Sequence, residues 1–221
     1  MPLTAQTYKN EFIRFCLQHK VLQFGKFTLK SGRISPYFFN AGLFNSGVLL
    51  QKLGDFYSAA IMEAKLDFDV LFGPAYKGIP LATATAISLA RNHHLNKAIC
   101  FNRKEIKNHG EGGNLIGATI DKKNILLIDD VITAGTAIRE IIKITQPHNA
   151  ILKGIILALD RQEKGQDTAL SAITQIEQEF NIRIVSIIAM TDLIDYAESN
   201  PEIQIWSQAI KDYREQYCIT S

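Results

Sequence analysis

Two carboxylates stand side by side at Asp129 and Asp130, directly behind the apolar run 124–128. A loop of small and hydroxylated residues follows them: Val131, Ile132, Thr133, Ala134, Gly135, Thr136 and Ala137. Such a segment can bind an anion. Small residues let the backbone fold tightly around it, Thr133 and Thr136 add hydroxyl donors, and a helix starting there supplies free N–H groups and a positive dipole end. The acid pair adds a second capacity: carboxylates beside a phosphate suit the hydroxyls of a sugar or a magnesium ion held through water. Neither G-x-x-x-x-G-K-S/T nor G-x-G-x-x-G is present, so this is a phosphate cradle of another kind. The plainer alternative is a pair of helix-capping acids, but one cap has no use for two acids, two threonines and a glycine.

Four further segments carry reactive types. Arg103, Lys104, Lys107 and His109, with glycines at 110, 112 and 113, fall within eleven residues behind the apolar run 98–101. Little of that stretch can be buried, and its glycines make it pliable. It reads either as a solvated hairpin tip or as a cationic lid for a polyanionic leaving group. Gly73-Pro74-Ala75-Tyr76-Lys77-Gly78 is a tight bend with a lysine, behind the run 69–72. Lys30 and Arg33 lie close to Tyr37, Phe38 and Phe39, aromatics that serve either as core or as a platform for a planar ligand. Asp160-Arg161-Gln162-Glu163 closes the run 154–159. There Arg161 either joins a helix-capping ion pair or forks onto a ligand carboxylate.

The elements that must position these residues are legible as a pattern. The runs 69–72, 98–101, 124–128, 154–159 and 182–188 are short and apolar on consecutive positions, as strands buried on both faces are. Helical spacing separates them: Leu49, Leu53, Phe56, Tyr57, Ala60 and Ile61 form one stripe, and Ala134, Ala137, Ile138, Ile141 and Ile142 another. Strand alternating with helix predicts an open α/β sheet, whose ligands sit at the carboxyl ends of the strands. The first 45 residues differ: a helix over 10–19, a hairpin over 24–33, then the aromatics, together a small cap on the sheet.

Composition narrows the function. Lys and Arg number 24 against 22 Asp and Glu, a net charge of +2, so bulk charge gives no nucleic-acid surface. At 47% hydrophobic and 21% charged, the 221-residue chain is expected to fold with a sizeable core. No run approaches a membrane span and the N-terminus lacks a signal-peptide core, which predicts a soluble cytoplasmic protein. Cys16, Cys100 and Cys218 are scattered and expected to be free. The histidines show no metal-binding spacing, so no direct metal site is expected.

On these residues the chain resembles the type I phosphoribosyltransferases. Their signature is an apolar strand, two acids and a Thr-Gly-Thr-containing loop that opens a helix, matched at 124–137. The resemblance is closest to the bacterial orotate phosphoribosyltransferases and extends over 24–45, 72–80, 100–117, 129–137 and 159–163. It implies the type I phosphoribosyltransferase fold: a central, mostly parallel sheet flanked by helices, with a small N-terminal hood. All of 1–221 forms one domain, and about 1–45 contributes the hood over the base site. It implies Mg²⁺-dependent transfer of the phosphoribosyl group from phosphoribosyl pyrophosphate to orotate, in de novo pyrimidine synthesis, by a homodimer sharing the 103–113 loop across its interface.

Residue by residue, the resemblance gives phosphoribosyl pyrophosphate to Lys30, Tyr76, Lys77, Arg103, Lys104, Lys107, His109, Asp129, Asp130 and 131–137. It gives orotate to Phe38, Phe39, Thr133 and Arg161, and catalysis to Lys104, Lys107, His109, Asp129 and Asp130. Magnesium rides on the pyrophosphate, reached through water from Asp129 and Asp130. One departure is Asn108, where many relatives have Asp, so any role of that acid is not carried over. A purine phosphoribosyltransferase would share 129–137 without Arg161 and the phenylalanine pair. A regulator that only senses phosphoribosyl pyrophosphate would need no lid.

Overall fold

The computed structural model describes residues 5–29, 31–107, 113–132, 135–165 and 168–219, without the side chains of 5–7, 105–107 and 113. Helix α1 (Ala5–Gln18) leads into a two-stranded antiparallel sheet of β1 (Leu22–Thr28) and β2 (Ile34–Phe39). Strand and helix then alternate through α2 (Gly47–Ala64), β3 (Val70–Gly73), α3 (Gly78–His93), β4 (Ala98–Lys107), β5 (Gly113–Gly117), β6 (Asn124–Asp129) and α4 (Thr136–Thr145). After them come β7 (Ile151–Asp160), α5 (Ala172–Phe180), β8 (Arg183–Ala189), α6 (Met190–Ser199) and α7 (Ser207–Tyr217).

The main sheet has the order β5-β4-β3-β6-β7-β8 and is parallel except at β5, which pairs antiparallel with β4. In β6, Ile125, Leu126, Leu127 and Ile128 are all fully buried, which is why the run shows no alternation. Ile125 and Leu127 pack with Ile138, Ile141 and Ile176 of α4 and α5. Leu126 and Ile128 face the other way, into a core shared with α1, α2, α3, α6 and α7. Burying each such side chain is worth about 1.5–3 kcal/mol, so β6 is firmly held between the two layers. The acid pair at its end inherits that rigidity.

The five expected parallel strands are present, with shifted ends. The stripe on α2 is buried from Leu53 to Ile61, with Leu49 partly buried. On α4 the stripe is different: the helix starts at Thr136, Ala137 is exposed, and the buried positions are Ile138, Ile141 and Thr145. Ala134 lies outside the described residues. The largest departure is β4, which runs on to Lys107 and pairs with β5 as a hairpin. Arg103 and Lys104, expected in a loop, therefore sit on a strand. Beyond Phe101 the pairing with β3 ends, and residues 102–107 are mostly polar, so no apolar run marks them in the sequence.

The cap also differs from expectation. Helix α7 packs on β2, and Lys9 of α1 bonds Asp192 of α6 at 3.1 Å. Two C-terminal helices thus share the cap with the first residues. Among the described residues the three cysteines are unpaired and buried, and no helix is long and apolar enough to cross a membrane.

Candidate functional site at the carboxyl edge of the sheet

β3, β6 and β7 are neighbours and parallel, so their carboxyl ends open on one edge. At the end of β6, Asp130 is 7% exposed. Its Oδ2 accepts from Lys77 Nζ at 2.9 Å and its Oδ1 from the Val131 N–H at 2.9 Å. Asp129 Oδ1 accepts from the Asp130 N–H at 2.9 Å, while the Tyr57 hydroxyl of α2 donates to the Asp129 carbonyl at 2.7 Å. Burial, and then the charge of Asp130, push the Asp129 carboxyl up to about 7, with Lys77 opposing them. Asp130 is thus ion-paired with Lys77, while the Asp129 carboxyl is raised well above the usual carboxylate range.

The loop after the pair reaches α4 through Gly135, whose φ of +70° is left-handed. A Cβ there would also stand 2.8 Å from Cδ1 of Ile176. Glycine is therefore demanded twice, by backbone and by packing. Thr136 and Ala137 open α4 and are exposed, so its first turn presents free N–H groups beside the acids. Thr133 and Ala134 lie outside the described residues. Val131 and Ile132 are half-buried and pack into the two cores.

Lys77 comes from the bend after β3. A Cβ on Gly78 would lie 2.4 Å from Cδ of Pro74 and 3.0 Å from the Ile128 carbonyl, so only glycine lets α3 start this close to β6. The Ala75–Tyr76 peptide is cis, and the Tyr76 side chain is exposed. A residue that sequence reasoning missed holds the bend: Asn102, 2% exposed, accepts the Ala75 N–H on its Oδ1 at 2.8 Å. Its signal was a lone amide between Phe101 and Arg103, on the strand that pairs with β3.

At the end of β7, Arg161 does not cap a helix. Its Nε and Nη2 donate to Glu163 Oε1 at 2.7 and 2.6 Å, Nη2 reaches Ser35 Oγ at 3.2 Å, and its Cζ lies 4.5 Å from the Tyr37 ring centroid. Half of the plain expectation is correct, since an ion pair exists, but it lies within the loop. Side chains alternate along a strand, so Ser35 and Tyr37 share the face of β2 turned to Arg161. Phe39 continues that face and packs on the core. Phe38 points the other way, stacked on Phe27 at 5.5 Å and 38% exposed. The aromatic at Arg161 is thus Tyr37 and not Phe38.

Of the cations of the expected lid, Arg103 and Lys104 are described, and they lie toward α4. Lys104 Nζ lies 3.5 Å from Glu140 Oε2 of α4, and Arg103 and Lys104 line a cavity of about 540 Å³ with Glu140, Lys143 and His148. Lys30, Asn108 and His109, and the side chain of Lys107, lie outside the described residues. No group of three or more metal-ligating side chains occurs among the described residues.

A mostly parallel sheet, an acid pair at one strand end and a glycine-opened helix beside it define the phosphoribosyltransferase class. Comparison with known proteins agrees: residues 43–186 match the phosphoribosyl transferase domain family. The chain is 55% identical over 214 residues to an orotate phosphoribosyltransferase of Shewanella oneidensis, covering 97% of this chain and 99% of that one. The crystal structure of the Francisella tularensis orotate phosphoribosyltransferase superposes with a TM-score of 0.87 at 44% identity, over 94% of this chain and 99% of the other. A Mycobacterium tuberculosis orotate phosphoribosyltransferase, solved with phosphoribosyl pyrophosphate, shares the fold at a TM-score of 0.61 and 20% identity, over 84% and 98% of the two chains. This chain belongs to the phosphoribosyltransferase family, and within it to the orotate phosphoribosyltransferases.

Proposed function

We propose that the chain transfers the 5-phosphoribosyl group from phosphoribosyl pyrophosphate to N1 of orotate, releasing orotidine 5′-monophosphate and pyrophosphate, in de novo UMP synthesis. One observation carries this reading: two chemically different binding ends share one sheet edge. The acid pair with Gly135 and the α4 N-terminus suits a phosphorylated sugar. Arg161 over Tyr37, one strand along, suits a planar carboxylate.

No nucleophilic side chain is required. The C1–O bond breaks with both electrons leaving on pyrophosphate, positive charge develops on the ribose ring, and N1 of orotate closes on C1. The residues contribute positioning and electrostatics. Thr133, Ala134, Gly135, Thr136 and Ala137 cradle the 5′-phosphate; Asp129 and Asp130 hold the ribose hydroxyls and favour the cationic ring. Tyr76 and Lys77 take the pyrophosphate. Arg103, Lys104, Lys107 and His109 reach it from the β4–β5 hairpin of the other subunit of a homodimer, consistent with Lys104 lying against α4 in its own chain. Arg161 receives the orotate carboxylate, flanked by Phe39 and Thr133, with Phe38 and Lys30 at the margin.

Asp130 is already engaged by Lys77 and a backbone N–H. That donor set fits Mg²⁺ carried on pyrophosphate oxygens and reached through water from Asp129 and Asp130. The ion would neutralise charge on the leaving group. A cytoplasmic setting accords with three unpaired cysteines.

The test is orotate ultraviolet absorbance on adding protein, phosphoribosyl pyrophosphate and Mg²⁺, with uracil and adenine in parallel. A fall with orotate and with neither other base is expected. Turnover of adenine, or of no base, would overturn the reading.

A further inference from the structure

Arg161 is held from two parts of the chain, by Glu163 of its own loop and by Ser35 and Tyr37 of β2. Its side-on edge, Nε and Nη2, is taken by Glu163 Oε1, and the remaining reach of Nη2 by Ser35 Oγ. The Tyr37 ring, fully buried, closes one flat face. Nη1 makes no hydrogen bond among the described residues, yet it is not one of the buried side-chain atoms that lack a partner. It therefore keeps some exposure and unspent N–H donors. A guanidinium gripped along one edge and bare at its tip is arranged to receive a second carboxylate.

Glu163 is in turn fixed from three sides. Its Oε1 accepts the Tyr213 hydroxyl of α7 at 2.8 Å, and its Oε2 lies 3.5 Å from Arg33 Nη1. Arg33 stacks on Tyr217 at 5.1 Å and donates to the Lys164 carbonyl at 3.0 Å. The backbone is stitched as well: Lys164 N–H donates to the Tyr217 carbonyl at 2.8 Å, and Ile219 N–H to the Gln162 carbonyl at 2.9 Å. The Arg161 loop is thus clamped by the end of the chain.

Two guanidinium groups against one carboxylate leave this cluster one positive charge in excess, which an incoming carboxylate would neutralise. Without Glu163, a side chain with several rotatable bonds would have to be ordered by the substrate, and binding would weaken accordingly.

We propose that Glu163, held by Tyr213 and Arg33, is a positioning residue that presents the Nη1 end of Arg161 to the substrate carboxylate. It thereby sets the preference for a carboxylated pyrimidine over an uncharged one. The proposal rests on reading Arg161 as the orotate-binding residue.

The experiment compares Glu163→Gln, Glu163→Asp, Tyr213→Phe and Arg161→Lys, measuring KM for each substrate, kcat and the orotate-to-uracil ratio of kcat/KM. Glu163→Gln should raise the orotate KM about tenfold and lower that ratio by a similar factor. The KM for phosphoribosyl pyrophosphate and kcat at saturating orotate should stay within about twofold. Glu163→Asp should recover part of the loss, and Tyr213→Phe should show the same split more weakly. If Glu163→Gln does not fold, Tyr213→Phe carries the test. An unchanged orotate KM in Glu163→Gln, or equal losses on both substrates, would overturn the proposal while Arg161→Lys still raises the orotate KM. No effect of Arg161→Lys would instead remove the reading of Arg161 itself.

Discussion

The two ends of the site are built in opposite ways. At the proposed phosphate end, Asp129, Asp130 and Gly135 come from one short segment, braced by Lys77 from the bend after β3. At the proposed base end, Arg161 is surrounded by Ser35 and Tyr37 from β2, Glu163 from its own loop and Tyr213 from α7. A phosphate needs backbone N–H groups, and consecutive residues deliver them. A flat carboxylated ring needs a face, an edge and a charge, which no single turn supplies.

The largest effect is expected at Gly135. Valine there must adopt a φ of +70° and meet Ile176, so Gly135→Val should lower kcat/KM for phosphoribosyl pyrophosphate by about 10²-fold or more. Circular dichroism should show the fold retained. Next is Arg161→Lys, which keeps the charge and loses the fork. The orotate KM should rise about 10–100-fold, with that of phosphoribosyl pyrophosphate unchanged.

That contrast also explains what was legible in the sequence. The strand order's central members, the acid pair and the Gly135 loop were readable because runs such as 124–128 and the motif behind them are contiguous. Arg161 was readable as a strand-end cation. That Tyr37 lies under the Arg161 guanidinium was not legible, because which face of β2 meets the sheet edge is set by tertiary packing, although Ser35, Tyr37 and Phe39 share a face by alternation alone. Tyr213 joins the site only through the docking of α7, which carried no motif. Asn102 acts through one backbone N–H across a parallel pair, a partnership that register alone reveals.

Asn102→Ala makes that last point measurable. It leaves the Ala75 N–H without its acceptor, and a lost partner at a part-buried group costs about 1–3 kcal/mol. Urea unfolding should show that loss, together with a raised KM for phosphoribosyl pyrophosphate. A smaller, pH-linked effect is expected from Asp129. Its carboxyl is raised from 3.8 to about 7, so the folded protein holds a proton that the unfolded chain has released. Folding stability should therefore fall as pH climbs from about 4 to about 7 and level off above. Asp129→Asn should flatten that slope in urea titrations run across the same range. Smallest of all is the structural worth of the Lys77–Asp130 pair. Lys77 is 63% exposed at its side chain, so Lys77→Met should cost no more than about 1 kcal/mol of stability, whatever it does to turnover.

On the proposed reading, the two ends are separate and divide the substrates between them. Titration calorimetry of phosphoribosyl pyrophosphate with Mg²⁺, without orotate, tests it most directly on the natural protein, Gly135→Val and Arg161→Lys. Binding abolished in Gly135→Val and unchanged in Arg161→Lys is the predicted result. Comparable weakening in both variants would mean that the edge is one undivided site.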